Sequence, residues 1–409
     1  MKFTTEERWK LIDKIARETI DYGGEKTTTK SILAELTVKP ATGIPFAVAI
    51  LYGFWSFFGS FAGFFTDGFF VRIFDEHWLP WLQNVFPYED SWLYYILVGD
   101  PTATNSFEAF GMLTSGLFVA IGIVLPAIVA FYFIITLLED SGYMPRLAVL
   151  VDTFLHKIGL HGFAVVPMIL SLGCNVPGVE STRTLETKKQ RFMMMILLSV
   201  FIPCGAQIGV MLSLIPEYTG YIMLYLMVGF FVFGYILNRA IPGKSPEIIT
   251  DVPPFRAPKW QNVQRKMLTK IKGFFKDAIP FVLLGVGLVN VLYLGGVIEW
   301  LSDLLAPVFT TWFGVPKETV IPLISGFLRK DLAVAQLSAI DMSGFQLITS
   351  VVLISIYFPC IATFSMIVKE GRKSGGVLRV LGGSLLILGV VVFLWGGLLH
   401  LLGMLLGVA

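Results

Sequence analysis

Cys174, Cys204 and Cys360 are the only thiols in the 409 residues, and all three lie inside apolar runs rather than in polar loops where a disulfide framework would sit. They read as free thiols. A thiol in apolar sequence is commonly a small inert hydrophobe, but deprotonated it is also a soft metal ligand. Its neighbours weigh on that choice. Cys174 stands in Gly173-Cys174-Asn175-Val176-Pro177, and Cys204 and Cys360 each follow a proline. The separations from Pro167 to Cys204 and from Pro322 to Cys360 are 37 and 38 residues. A second costly feature is Arg329-Lys330-Asp331, centred in the apolar stretch Val320–Ile340. Each charge near a bilayer centre costs about 2.5–3.5 kcal/mol on insertion scales unless it is paired or wetted. Lys330 and Asp331 are therefore expected to pair with each other or to face a wet cavity. Glu139-Asp140 closes another apolar run.

These residues need a membrane scaffold to position them. The chain is 55% apolar and 14% aromatic with a mean hydropathy of +0.74, and its apolar residues fall in blocks of twenty or more. The reading is an all-α integral membrane protein of about seven transmembrane helices plus two broken or re-entrant hairpins of opposite orientation. Residues 1–40 carry eight Lys/Arg and seven acids before any hydrophobic run, so no signal peptide opens the chain and this segment is expected in the cytoplasm. Thr4 to Glu7 can cap a helix, and Leu11, Ile12, Ile15, Ala16 and Ile20 then recur at helical spacing. The first span is expected at Gly43–Phe65. Residues 66–105, with six acids against one Arg, are expected outside, with Pro80 and Pro87 preventing a long helix and the aromatics anchoring a lid.

A span at Gly111–Leu138 leads to an amphipathic stretch ending at Gly162. Phe163–Thr182 is apolar but broken by Gly173, Pro177 and Gly178, and its exit is basic, so it reads as a hairpin entering from the cytoplasm. Spans follow at Phe192–Leu214 and Tyr221–Leu237. The loop 239–277 has nine Lys/Arg against three acids, which places it inside. Beyond it come a span at Ala278–Val297, an external amphipathic piece at Leu301–Phe309, the broken segment Val320–Ile340 entering from outside, and spans at Phe345–Val368 and Gly376–Leu406. The matching order of parts makes 111–238 and 278–409 two inverted gate repeats, separated by 239–277 and preceded by 1–40 and 41–110. Carriers built this way place their substrate near the midplane, where broken helices expose backbone groups.

The motifs Leu137-Leu138-Glu139-Asp140-Ser141-Gly142-Tyr143-Met144, Gly173-Cys174-Asn175-Val176-Pro177, Thr182-Arg183-Thr184-Leu185-Glu186, Asp251-Val252-Pro253-Pro254-Phe255-Arg256 and Pro359-Cys360-Ile361-Ala362-Thr363 resemble, in order, those of the membrane domain of FeoB ferrous-iron transporters. Glu7-Arg8-Trp9-Lys10-Leu11-Ile12-Asp13-Lys14 resembles the segment by which family members pass from their GTPase region into the membrane. The resemblance implies Fe²⁺ as transported substrate in the cytoplasmic membrane, with Cys174, Cys204 and Cys360 as metal cysteines. Asn175, Glu139, Asp140 and Asp331 are expected to supply oxygen ligands.

Two departures stand out. The family's Gly-Lys-Glu is Arg329-Lys330-Asp331 here, and its Ser-Cys-Ser-Ala-Arg is Pro203-Cys204-Gly205-Ala206-Gln207. No Gly-x-x-x-x-Gly-Lys-Ser/Thr loop occurs in these residues, the nearest approach being Gly243-Lys244-Ser245 after a span. The expectation is a transporter that is not itself an enzyme, binds no nucleotide, and works alone or with a separate cytoplasmic GTPase or small accessory protein, as a monomer or homo-oligomer. The four scattered histidines give no metalloenzyme motif, and a net charge of +2 parcelled among loops gives no nucleic-acid surface. Two alternatives are a gate-domain carrier of another solute such as a nucleoside and a non-transporting scaffold. Hairpin tips that offer Cys, carboxylate and Asn favour a metal.

Overall fold

The computed structural model describes residues 36–86, 92–106, 109, 111–243, 255–327, 329–337, 340–373 and 377–406. The N-terminal amphipathic helix, Glu7–Lys14, Pro87 and the Asp251–Pro254 part of one motif lie outside the described residues. Those described are helical, with no strands. Among the described residues, six helices are long and apolar enough to cross a membrane, and a seventh span is counted if Leu283–Leu292 and Val297–Trp312, bent by 79°, are taken together.

The helices are α1 (Pro40–Val85), α2 (Trp92–Leu97), α3 (Met112–Ser141) and α4 (Tyr143–His156). The first hairpin is α5 (Val165–Gly173) and α6 (Asn175–Ser181), followed by α7 (Lys188–Phe201), α8 (Gly205–Leu214) and α9 (Pro216–Ala240). Then come α10 (Trp260–Leu294) and α11 (Val297–Trp312). The second hairpin is α12 (Val320–Ser325) and α13 (Lys330–Leu337), followed by α14 (Gly344–Ile356), α15 (Ile361–Lys373), α16 (Val377–Val391) and α17 (Gly397–Leu406). A short 3₁₀ turn precedes each hairpin, at Gly162–Ala164 and at Lys317–Thr319.

The packing follows a two-fold rule. The second arm of each hairpin lies against the second half of the other repeat's broken span, α6 on α15 and α13 on α8. The first halves, α7 and α14, pack on each other, as do α3 and α10. Met193, Met194, Leu197 and Leu198 of α7 and Val351, Val352, Leu353 and Ile354 of α14 are fully enclosed and form the centre of the core. Outward-facing residues are apolar instead: Leu224, Met227 and Val232 of α9 and Leu385, Leu386 and Leu405 near the end are exposed. In water such a surface would drive association, whereas lipid solvates it. This is a multi-pass membrane protein.

Contacts at the two ends fix the direction of the repeats. At the basic end, Arg183 after the first hairpin is ion-paired with Glu370 of α15, and Lys189 donates to the Asn238 carbonyl (2.7 Å) at the end of α9. At the other end, Gly344 at the start of α14 abuts the Tyr218 ring at the start of α9, and the Gln346 amide donates to the Gly314 carbonyl (3.3 Å) before the second hairpin. The span α7–α8 therefore leaves the basic end while α14–α15 arrives there. The two hairpins enter from opposite ends, as the sequence pattern indicates.

Two expectations are corrected. The helix α1 does not stop near Phe65 but runs through Pro80 to Val85. Two π-helical turns, Thr66–Phe70 and Phe74–Trp78, precede Pro80 and widen the coil where the proline ring would otherwise meet the preceding turn. This extension packs along the start of α3, with Trp78 donating to the Leu113 carbonyl (3.0 Å) and Thr66 to that of Gly122 (2.9 Å). The basic stretch 239–277 is likewise not all loop, because α10 begins at Trp260. Its Lys266 and Lys270 meet Glu139 at the end of α3, and those ion pairs let the helix start well before its apolar part.

Candidate functional site

Each of the four breaks begins a new half-helix, and a cysteine is the first residue before three of them. Cys174 separates α5 from α6 in extended backbone (φ −150°, ψ 133°), and Cys204 caps α8 at φ −75°, ψ 164°. Cys360 immediately precedes α15, its carbonyl accepting the Phe364 N–H (2.9 Å). The Val176 and Gln207 N–H groups, in the first turns of α6 and α8, lie beside the sulfurs of Cys174 and Cys204, and Cys360 Sγ lies 3.1 Å from Thr363 Oγ1. At the fourth break Arg329 stands where the repeat would put a partner for Cys174, each lying seven residues after its repeat's proline, Pro167 or Pro322.

The breaks meet. A Cβ on Gly205 would stand 3.2 Å from the carbonyl oxygens of both Leu172 and Gly173, so the glycine lets α8 begin directly against the end of α5. Asn175 Nδ2 donates to the Ile202 carbonyl (3.2 Å), and Ile361 N to that of Phe327 (2.9 Å), so each hairpin tip is tied to the break of its own repeat. Cys174 lies close enough to Cys204 and Cys360 for their charges to couple, and Cys204 in turn to Asp331 and Lys330. Among the described residues, however, no three His, Cys, Asp or Glu side chains stand together as a ready-made metal cage.

Other donors lie within the same region. Asn175 and Gln207 are buried; each uses its NH₂, Gln207 on Ser355 Oγ (2.7 Å), and each leaves its amide oxygen without a hydrogen-bond partner among the described residues. A buried amide oxygen in that state retains full acceptor capacity. Asn175 is among the expected ligands, whereas Gln207 is not, standing where the family has Arg. Its signal was its place three residues after Cys204, one turn along the same face.

The charged residues are distributed otherwise than expected. Lys330 does not pair with Asp331: its ammonium donates to the backbone carbonyls of Ser355 (2.6 Å) and Ser199 (3.3 Å), and Asp331 is ion-paired with Arg329. A lysine and its immediate neighbour on a helix diverge by about 100°, so one can reach the facing spans while the other turns back to the break. Glu139 and Asp140 meet the basic start of α10. Glu139 pairs with Lys266 (2.9 Å) and Lys270 (3.8 Å), and Asp140 accepts the Lys259 N–H (2.8 Å).

Two adjoining cavities open toward the basic end, sharing Leu170, Ser181, Thr269 and Lys270. The first, about 790 Å³, reaches Tyr132 and Val176 behind Cys174 and is bordered by Glu180, Lys369 and Arg372. The second, about 940 Å³, carries Glu139, Glu186 and His161. Val176 and Pro177 at the start of α6 line the first cavity, so that space ends next to the first break.

Two family descriptions match this helical core. The Gate family, described as nucleoside recognition, matches residues 121–217 and 275–374, one stretch in each repeat, and the family described as ferrous iron transport protein B C terminus matches residues 221–270 between them. The chain is similar to the membrane part of FeoB proteins. It is 27% identical over 412 residues to the Fe(2+) transporter FeoB of Methanocaldococcus jannaschii, covering 89% of this chain and 58% of that protein. It is 28% identical over 306 residues to that of Staphylococcus aureus strain COL (63% and 44% covered) and 31% identical over 171 residues to that of Helicobacter pylori (39% and 26%). The chain spans about half the length of the curated relatives it matches. No solved structure matches this FeoB-like chain significantly.

Proposed function

We propose that this FeoB-like chain carries ferrous iron across the cytoplasmic membrane through the junction of its four helix breaks. The observation that supports this most is that Cys174, Cys204 and Cys360 each open a half-helix at breaks tied to the hairpin tips, with the unsatisfied amide oxygens of Asn175 and Gln207 on two of the same half-helices, a mixed sulfur and oxygen donor set that suits Fe²⁺. Binding would deprotonate the thiols, since the thiolate is the ligand form. Asp331 adds a carboxylate beside the site, released from Arg329 as the metal arrives. Because the donors come from different half-helices, small shifts of the hairpins would gather or disperse them. Full ligation therefore belongs to an occluded intermediate rather than to the arrangement described here.

The positive-inside rule assigns the basic end to the cytoplasm, with the N-terminus on that side. The two cavities are then the inward path, and Glu139, Asp140 and Glu186 are carboxylates that offset Lys266 and Lys270 along it. Inverted repeats, 111–238 and 278–409, would exchange conformations to open the opposite side. The contact surface for a separate GTPase or a small accessory protein would be the basic cytoplasmic face, including 1–40 and 239–277, where anionic lipid competes.

The test is anaerobic uptake of Fe²⁺ by proteoliposomes that hold this chain alone, with a radiolabelled nucleoside as the competing cargo. Saturable Fe²⁺ uptake above protein-free vesicles and no nucleoside uptake are expected. Nucleoside uptake without Fe²⁺ uptake would replace the reading by the alternative carrier, and neither would support the scaffold. Titration with labelled GTP is expected to show no saturable micromolar binding to these residues, because they contain no phosphate-cradling loop.

A further inference from the structure

Ser199 and Ser355 stand four residues before Pro203 and Pro359, and five before Cys204 and Cys360. In an unbroken helix their carbonyls would accept the N–H of the residue four positions on, and proline has none. The same substitution thus frees the same carbonyl in both broken spans. Lys330 Nζ donates to both oxygens, 2.6 Å to Ser355 and 3.3 Å to Ser199, and the residue is 6% exposed. Since the two serines are equivalent positions of the repeat, the ammonium lies between symmetry-related oxygens, at the axis. The position equivalent to Lys330 is Asn175, each eight residues after the hairpin proline, and its amide reaches only Ile202 of its own repeat. One group fits between the paired carbonyls, so the repeats have to differ there.

The geometry points to a monovalent-cation site between the Ser199 and Ser355 carbonyls, which this chain fills with its own Lys330 ammonium. Carbonyls freed at helix breaks are the ligands by which carriers hold free alkali cations, and a charged amine meets the same two oxygens with charge-assisted hydrogen bonds. Asp331 does not compete for the ammonium, being held by Arg329, while Cys204 and Cys360 lie within electrostatic reach of it. A tethered cation cannot exchange with solvent. It follows, resting on the transport reading, that iron uptake needs no Na⁺ gradient.

The cation site itself is tested without transport, by thermal unfolding of the purified full chain in matched chloride solutions. The natural chain is expected to melt at the same temperature in sodium, methylammonium and choline chloride. Lys330→Ala is expected to melt lower by about 5 °C or more in choline, and to regain much of the loss saturably in methylammonium or sodium, which fit the vacated space where choline does not. A Lys330→Ala chain as stable as the natural one, or one equally unstable in all three salts, would overturn the proposal. If Lys330→Ala is recovered only when extracted in methylammonium, the proposal is supported; if no condition yields it, the natural chain decides. A sodium-specific rise in its melting temperature would mean that the ammonium does not fill the site, whereas indifference to the cation together with Na⁺-independent iron uptake would support the assignment.

Discussion

Replacing Cys174 and Cys204 together by alanine is expected to reduce Fe²⁺ uptake to the level of protein-free vesicles while leaving the protein folded. Sulfur is a weak acceptor for the Val176 and Gln207 N–H groups that lie beside these two side chains, and alanine accepts the extended backbone that both positions adopt, so the breaks persist without the thiols. What disappears is the soft part of the donor set. Oxygen ligands alone hold Fe²⁺ weakly, because it sits low in the affinity order of the divalent ions, and loss of supporting groups around metal sites already costs 10–100-fold. The change should therefore appear in uptake and not in yield or melting temperature. Undiminished uptake in this double variant would return both thiols to the inert class. Cys360→Ala is less clean, since its sulfur also contacts Thr363.

Arg329→Leu is expected to destabilise the chain by about 3–5 kcal/mol, the usual cost of stranding one member of a buried ion pair. Its guanidinium holds the Asp331 carboxylate, and both side chains are largely enclosed, at 16% and 14% exposure, so solvent offers little compensation. Changing both to leucine should recover most of the loss, as apolar replacements of a whole buried pair often do. Urea or thermal unfolding of the two single variants and the double one gives the coupling directly. A double variant no more stable than Arg329→Leu would show that the pair has further obligatory partners. If the double variant folds as expected but fails to take up iron, Asp331 has a part in transport that the ion pair alone does not explain.

Much of the architecture was legible because membrane segments are long and their breaks are chemically loud. Gly173, Pro177 and Gly178 marked the first hairpin, and Arg329-Lys330-Asp331 marked the second. The paired Pro-Cys spacings disclosed the repeat that α6 on α15 and α13 on α8 then display. Local sequence was less informative where two elements compensate each other. Nothing near Trp260 announces that α10 begins there; the ion pairs to Glu139 do, and the one from Lys266 joins residues 127 apart. Pro80 likewise reads as a helix stop unless the π turn before it is known.

The site was legible as a set of residue types but not as a set of bonds. Adjacent opposite charges suggested a Lys330–Asp331 pair, yet helical geometry sends neighbours apart, and the freed carbonyls of Ser199 and Ser355 offered the ammonium better partners. That partnership was inferable in principle, since both prolines stand four residues after a serine, but choosing Lys330 required knowing that the spans cross at that level. Glu139 and Asp140 looked like ligands because they lie at the hairpin mouth, whereas the basic start of α10 engages them.

X-ray absorption at the iron edge, on the purified chain loaded anaerobically with Fe²⁺, addresses ligation by the break cysteines most directly. The account predicts a mixed first coordination sphere containing sulfur, with the sulfur contribution lost when Cys174, Cys204 and Cys360 are all changed to alanine. A sphere of oxygen and nitrogen alone in the natural chain, or a spectrum unaltered by the triple change, would contradict it.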